Sequence, residues 1–202
     1  MNIFFLHNDP ATCAQMHCDK HVVKMILEYT QLLSTAHHVA NKEVHSSAAS
    51  SITNQLLKPT HVNHPCAIWV RKRIDNYVWL SSLLLELHKE YQLRYNRVHK
   101  LFDLAISLAH TKPVVYTWSP EECISTPALA MPLPVQLIAS KKFTNNEYIK
   151  QFMHDVPNHF AYGFSIYAYR LYYVTYKAHI LKYTNAPVPK FINDVPVTNY
   201  QP

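Results

Sequence analysis

A single glycine, Gly163, stands in 202 residues beside 13 prolines, and that ratio constrains the fold more than any other feature. Tight primed hairpin turns need residues at positive φ, which glycine supplies without steric cost. Phosphate-cradling loops need it too, so a Walker loop and a dinucleotide fingerprint are excluded. Helices joined by proline-punctuated loops remain. With 49% hydrophobic residues the chain can bury a core rather than stay disordered. Its length suits one core and does not call for two. The reading is all-α: one compact helical domain over 1–202, with a Pro-rich irregular segment at 111–144 and an extended tail at 185–202.

Along the chain, residues 2–6 (NIFFL) are a short apolar strip that buries the N-terminus. Asn8 or Asp9 caps, Pro10 suits a first helical position, and no proline follows until Pro59, so a helix is predicted over 10–39. A polar connection follows at 41–58. His64-Pro65 starts a helix that runs to about Arg73 and then continues, or restarts, through Asp75 to Tyr95. A shorter helix fits 98–110. Pro113, Pro120, Pro127, Pro132 and Pro134 forbid a long element in 111–144, which reads as a packed loop or a lid. One or two turns fit 145–153, and a Tyr-rich helix fits 162–183.

The first helix carries a polar seam. At about 100° per residue, His17, His21, Lys24, Glu28, Gln31, Thr35 and His38 fall on one line. Apolar residues fill the rest of the circumference, so the helix belongs inside the fold. Two readings stand: the seam is the strip that meets solvent, or it lines a cleft where a carboxylate beside Lys and His does acid–base work. Lys24 and Glu28 also make an ordinary i,i+4 ion pair. His21 and Glu28 are about 10 Å apart along the axis and cannot share a proton directly. His17 and His21 could ligate a metal with a third ligand from His61 or His64. No metal is favoured by this spacing alone, and no cofactor is implied.

A second cluster is THVNHPCAIWVRKR (60–73). Free N–H groups at a helix start attract anions, and Arg71, Lys72 and Arg73 add charge one to two turns later. The alternative is a proline-started helix with Trp69 in the core and a solvated basic end. The formal charge is +6, with a pI near 9.1, which fits a polyanionic partner, nucleic acid first, or simple solubility. Cys13, Cys18, Cys66 and Cys123 show no Cys-x-x-Cys spacing, the opening lacks a basic leader, and no apolar run approaches a membrane span. Reduced thiols in an intracellular, non-secreted protein are the expectation.

The stretches CDKHVVKMILE (18–28) and NHPCAIW (63–69) resemble small proteins of phages and large DNA viruses. The wider layout resembles the pyrimidine-dimer DNA glycosylase family of the phage endonuclease V type. Members are small all-helical proteins with an N-terminal apolar strip, a first helix bearing a His and a Glu two turns apart, an Asn-His-Pro helix start and an aromatic-basic C-terminal segment. Here those positions are His21, Glu28, Asn63-His64-Pro65, and the run Tyr167–Tyr183 with Arg170, Lys177 and Lys182. The resemblance covers about two thirds of the chain and leaves 111–144 unaccounted for.

The resemblance implies a mechanism. The chain's own α-amine attacks C1′ of a damaged nucleotide and forms a Schiff base, and a helix-borne carboxylate, Glu28, drives β-elimination. An α-amine is partly neutral, hence nucleophilic, near neutral pH. Asn2 is bulky, so Met1 is expected to be retained and to supply the amine, and Leu27 stands where the characterised enzyme has a phosphate-binding Arg. The expected catalytic residues are Met1, Glu28 and His21. The expected DNA contacts are Lys24, His64, Arg71, Lys72, Arg73, Arg170 and Lys177. The partner is damaged or abasic duplex DNA in the cytoplasm or nucleus of an infected host, with the oligomeric state open. Two other classes fit the residues: a metal-dependent enzyme of nucleotide or DNA modification using His17, His21, His61 and His64, and a non-enzymatic nucleic-acid binder.

Overall fold

Asp9 and Pro10 start the first helix as their chemistry predicts. In the computed structural model, which describes residues 1–43, 52–113, 125–143, 153–156 and 159–193, Asp9 Oδ2 accepts the Thr12 N–H at 2.8 Å. This cap opens α1 (Pro10–Met16). The helix expected to run on to 39 breaks, however. His17 turns extended at φ −68°, ψ 131°, and α2 (Asp19–Glu43) begins afresh. Nothing local marks the break, because distant groups hold it. Arg94 donates to the carbonyls of Gln15 and His17 at 3.1 and 2.8 Å. The Asp19 N–H donates to Lys182 O at 2.8 Å. His17 therefore leaves the line on which the seam was drawn.

The second pair of helices forms as α3 (Pro65–Lys72) and α4 (Ile74–Tyr95), separated by the extended Arg73. α4 stops where Asn96 adopts left-handed geometry at φ 51°, a conformation its short polar side chain tolerates. α5 (Phe102–His110) starts slightly later than expected. Part of the segment expected to be irregular is helical: α6 spans Leu133–Phe143. Pro132 and Pro134 sit at its start, where a missing N–H costs nothing. α7 (His159–Tyr176) ends before the expected 183 and passes into a 3-10 turn, Ala178–Ile180. The tail, expected extended, contains one helical turn, α8 (Lys190–Asn193), which buries Phe191. Residues 114–124, 145–152 and 194–202, where loop, turns and tail were expected, lie outside the described residues.

No strand occurs among the described residues, so the fold class is all-α. α2 and α4 pack together, with α1, α3 and α5 against them, while α6 pairs with α7 and α7 with α8. One apolar cluster runs from Ile3 to Phe191 through all of these helices. No described helix is long and apolar enough to cross a membrane.

The N-terminal strip shows how the site is set up. Ile3, Phe4, Phe5 and Leu6 are all buried, yet among the described residues no strand lies beside the strip to satisfy its backbone. Side chains do so instead. The Phe4 N–H donates to Tyr29 Oη at 3.1 Å, and the Cys13 thiol and the Arg170 Nε–H donate to the carbonyls of Phe4 and Leu6 at 3.3 and 2.9 Å. The start of the chain is thereby threaded between helices and aimed at the middle of α2.

Candidate active site at the N-terminus

Glu28 lies on α2 with its side chain 13% exposed. Its Oε2 accepts the backbone N–H of Asn2 at 3.2 Å, and its Oε1 is 3.2 Å from Lys24 Nζ. Successive backbone nitrogens are at most about 3.7 Å apart, so the Met1 amine lies within about 7 Å of this carboxylate. Met1 is itself half-buried against the core. The strip and the helix thus bring the start of the chain and a carboxylate together, through a contact that spans 26 residues of sequence between Asn2 and Glu28.

His64 joins them from α3. As N-cap its Nδ1 accepts the Cys66 N–H at 3.2 Å, which leaves the proton of the neutral ring on Nε2. Burial first, then the positive Met1 amine and His61, hold this imidazole below its ordinary value against the opposing pull of Glu28. Neighbouring Cys66 is buried, and its thiol is pushed up to about 11 chiefly by that burial, with smaller effects from the Met1 amine and Glu28. His61 is exposed, at φ 49°, with Nδ1 2.6 Å from Thr60 Oγ1.

His21, expected to be catalytic, sits elsewhere. Its ring stacks on Phe4 at 4.2 Å and its Nδ1 bonds the Tyr173 hydroxyl at 2.5 Å. Burial lowers its pKa to about 3. It is a neutral, enclosed ring about two turns from Glu28, too far for direct proton transfer. His17 is enclosed as well. Its Nδ1–H donates to Cys13 O at 2.7 Å, and its Nε2 accepts from the Tyr29 hydroxyl at 3.2 Å. With a pKa lowered to about 4 by burial, both nitrogens are spoken for as proton donor and acceptor. Among the described residues no three His, Cys, Asp or Glu side chains are grouped as a metal would require.

The expected DNA contacts divide. Lys24 and Lys72 are exposed, and half-buried Lys177 lies over the Tyr172 ring at 5.1 Å. Arg71 turns back to the Val62 carbonyl, and Arg73 pairs with Asp75 at 3.4 Å. Arg170 cannot serve as a DNA contact. It is fully buried, with bonds to Asp155 at 2.7 and 2.9 Å and to Leu6 O, and it anchors the strip from within. The sequence reading missed Asn2 and Tyr169. The Asn2 side chain donates to Ala130 O at 2.8 Å and meets the Tyr169 hydroxyl at 2.9 Å, contacts between residues far apart in sequence that no local pattern announces.

An open cleft of about 310 Å³, lined by Val23, Tyr91, Tyr95 and Arg97, lies between α2 and the end of α4. Val23 is about 140° around α2 from Glu28, so this cleft is apart from the amine and the carboxylate. A family model described as pyrimidine dimer DNA glycosylase matches residues 1–103 of the 202, a span that includes Met1, Lys24, Glu28 and His64. No curated protein and no solved structure matches the chain.

Proposed function

We propose, because this chain belongs to the pyrimidine dimer DNA glycosylase family, that it removes damaged pyrimidines from DNA and cleaves the resulting abasic site with its own N-terminal amine. The observation that carries this reading is the Asn2 N–H on Glu28 Oε2 at 3.2 Å, which keeps the chain's first amine beside a half-buried carboxylate.

In this mechanism the neutral amine attacks C1′ as the glycosidic bond breaks, and the base departs with the bonding pair and takes up a proton. The C1′–O4′ bond then opens, O4′ takes up the proton that the amine nitrogen gives up, and a Schiff base joins nitrogen to C1′. Glu28 accepts a proton from C2′, the C3′–O bond breaks, and the 3′ phosphate leaves. Hydrolysis of the imine returns the amine. Holding nucleophile and base in one place supplies the rate advantage of an intramolecular reaction. Lys24, Lys72 and Lys177 attract phosphates, and His64 Nε2–H donates to an anionic oxygen. His21 contributes by supporting Phe4 in the strip.

A variant of the mechanism rests on the same distance. A chain that had lost Met1 would present the amine of Asn2 itself at the position 3.2 Å from Glu28. Borohydride trapping on abasic-site DNA tests both forms. A covalent adduct is expected, its mass reporting Met1 or Asn2 as the attached residue. An adduct that persists after the N-terminus is blocked would overturn the amine mechanism. DNA binding without any adduct, indifferent to Glu28→Gln, would identify a non-enzymatic binder.

A further inference from the structure

The family match ends at residue 103, but the site does not. Residues 125–131 and α7 reach it from the remainder of the chain, and they meet it at the side chain of residue 2. The Asn2 Nδ2–H donates to Ala130 O at 2.8 Å. The Tyr169 hydroxyl accepts the Ala130 N–H at 3.3 Å, and its single proton is shared between Ala128 O at 2.6 Å and Asn2 Oδ1 at 2.9 Å. Because Nδ2 faces a carbonyl, the orientation of the Asn2 amide is determined by its partners.

The seat is itself held. Asn76, fully buried, accepts the Ser125 N–H and donates to Ser125 Oγ, both at 2.8 Å, and donates to Trp69 O at 2.8 Å. Trp69 Nε1–H donates to Ser125 O at 3.0 Å. Gln136 on α6 donates to the carbonyls of Leu129 and Met131 at 3.2 and 2.9 Å. A segment of loop with this many fixed partners does not drift as an exposed loop does.

We infer that Tyr169 is a positioning residue for the N-terminal amine, acting through Asn2. The inference rests on the amine mechanism above. Glu28 holds the backbone of residue 2 from one side, and the Ala130–Tyr169 seat holds its side chain from the other. With the Met1–Asn2 peptide plane fixed, Met1 Cα is fixed too. The amine is then confined to a circle of about 1.4 Å radius around the Cα–C bond. A nucleophile restricted to that path is pre-organised for one reaction geometry, and a misplacement of about 1 Å costs up to about a hundredfold in rate. The segment beyond residue 103 therefore completes the catalytic site instead of merely covering the core.

The test is single-turnover borohydride trapping on abasic-site DNA by the full chain, with Tyr169→Phe, Asn2→Leu and the double variant. Leu matches Asn in size, and intact mass confirms that all four proteins share one N-terminus. Each single variant is expected to lower the maximal trapping rate about tenfold without changing the half-saturating DNA concentration. The double variant should also fall about tenfold and not a hundredfold, because the two residues act as one device. Thermal melting checks that Tyr169→Phe folds, and Asn2→Leu, at the half-buried chain start, carries the test if it does not. An unchanged maximal rate, a hundredfold loss in the double variant, or an effect confined to half-saturation would overturn the clamp alone. No adduct from the wild-type chain, or an adduct from the N-terminally blocked chain, would overturn the amine mechanism and the clamp together.

Discussion

Among the polar residues of α1 and α2, the end that holds His17 and His21 and the stretch that holds Lys24 and Glu28 behave as opposites in the fold. At one end, His17 and His21 are roofed by Phe4 and Tyr173, with every assigned bond internal and their charged forms suppressed by burial. At the other, Glu28 keeps its carboxylate between an exposed lysine and the start of the chain. What separates them is the strip 1–6, which covers the first pair with Phe4 and runs out at the second. Polar side chains on one face of neighbouring helices are enclosed or left open according to what lies over them. The strongly lowered pKa values belong to the enclosed histidines, and burial is their main cause.

Breaking the open end should have the largest effect. Glu28→Gln keeps shape and burial but removes the proton acceptor and the charge. Strand cleavage at abasic sites is expected to fall about a thousandfold or more. Stability should change by no more than about 1 kcal/mol, since the lost Lys24 pair is a surface one. Gel-based cleavage beside a urea melt separates the two. A loss of less than tenfold would remove Glu28 from the mechanism.

Breaking the closed end should do the reverse. His21→Ala empties a site between Phe4 and Tyr173 and leaves the tyrosine hydroxyl without its partner. About 3 kcal/mol of stability should be lost, while the trapping rate of the folded fraction falls by less than tenfold. Chemical denaturation gives the first number and single-turnover trapping the second. A rate loss as large as that of Glu28→Gln would make His21 part of the chemistry after all.

These contrasts bear on what the sequence could reveal. The scarcity of glycine made the helical class readable, and Asp9-Pro10 and His64-Pro65 marked two helix starts correctly because caps are local chemistry. The burial of the opening strip was readable from its apolar composition. The break at His17 was not, because Arg94 and Lys182 impose it from across the molecule. α6 was hidden by the two prolines at its start, which would stop a helix anywhere but in its first turn. Arg170 read as a DNA contact because a Tyr-rich basic helix looks like a binding surface. Asp155 and Leu6 O, which claim its guanidinium, are distant in sequence from it or belong to a short connection with no pattern. The contacts of Asn2 with Ala130 and Tyr169 were not legible for the same reason.

Acid sharpens the comparison without any substitution. His17 and His21 are held at about 4 and about 3, mainly by burial, and His37 and His88 are each lowered to about 4 by the same cause. The unfolded chain takes up protons at its histidines from about pH 6.5 downward, whereas the folded chain does not until near the lowered values. Stability therefore falls as pH drops through that window and is fully present above it. At pH 5 the cost is about 2 kcal/mol for each lowered histidine, and the share of His17 and His21 alone lowers the melting temperature by roughly 10 °C relative to pH 7.5. Calorimetry in His21→Phe should show a visibly shallower acid limb. An unchanged limb would mean that His21 is not buried neutral.

The smallest effect expected is at Lys24, where the comparison is most delicate because one residue belongs to both descriptions. As an ion-pair partner its side chain is 66% exposed, at 3.2 Å from Glu28, and such pairs contribute no more than about 0.5 kcal/mol. As a phosphate contact it would release about one counterion on binding. Lys24→Ala should then leave melting nearly unchanged and weaken binding to abasic duplex a few-fold at low salt. It should also make the logarithmic salt dependence shallower by about 1. Fluorescence anisotropy over a range of salt concentrations reads the slope directly. A slope identical to wild type, with only a few tenths of a kcal/mol lost in stability, would assign Lys24 to the helix alone. It would also leave Glu28 as the only charged side chain of the original seam with a part in the reaction.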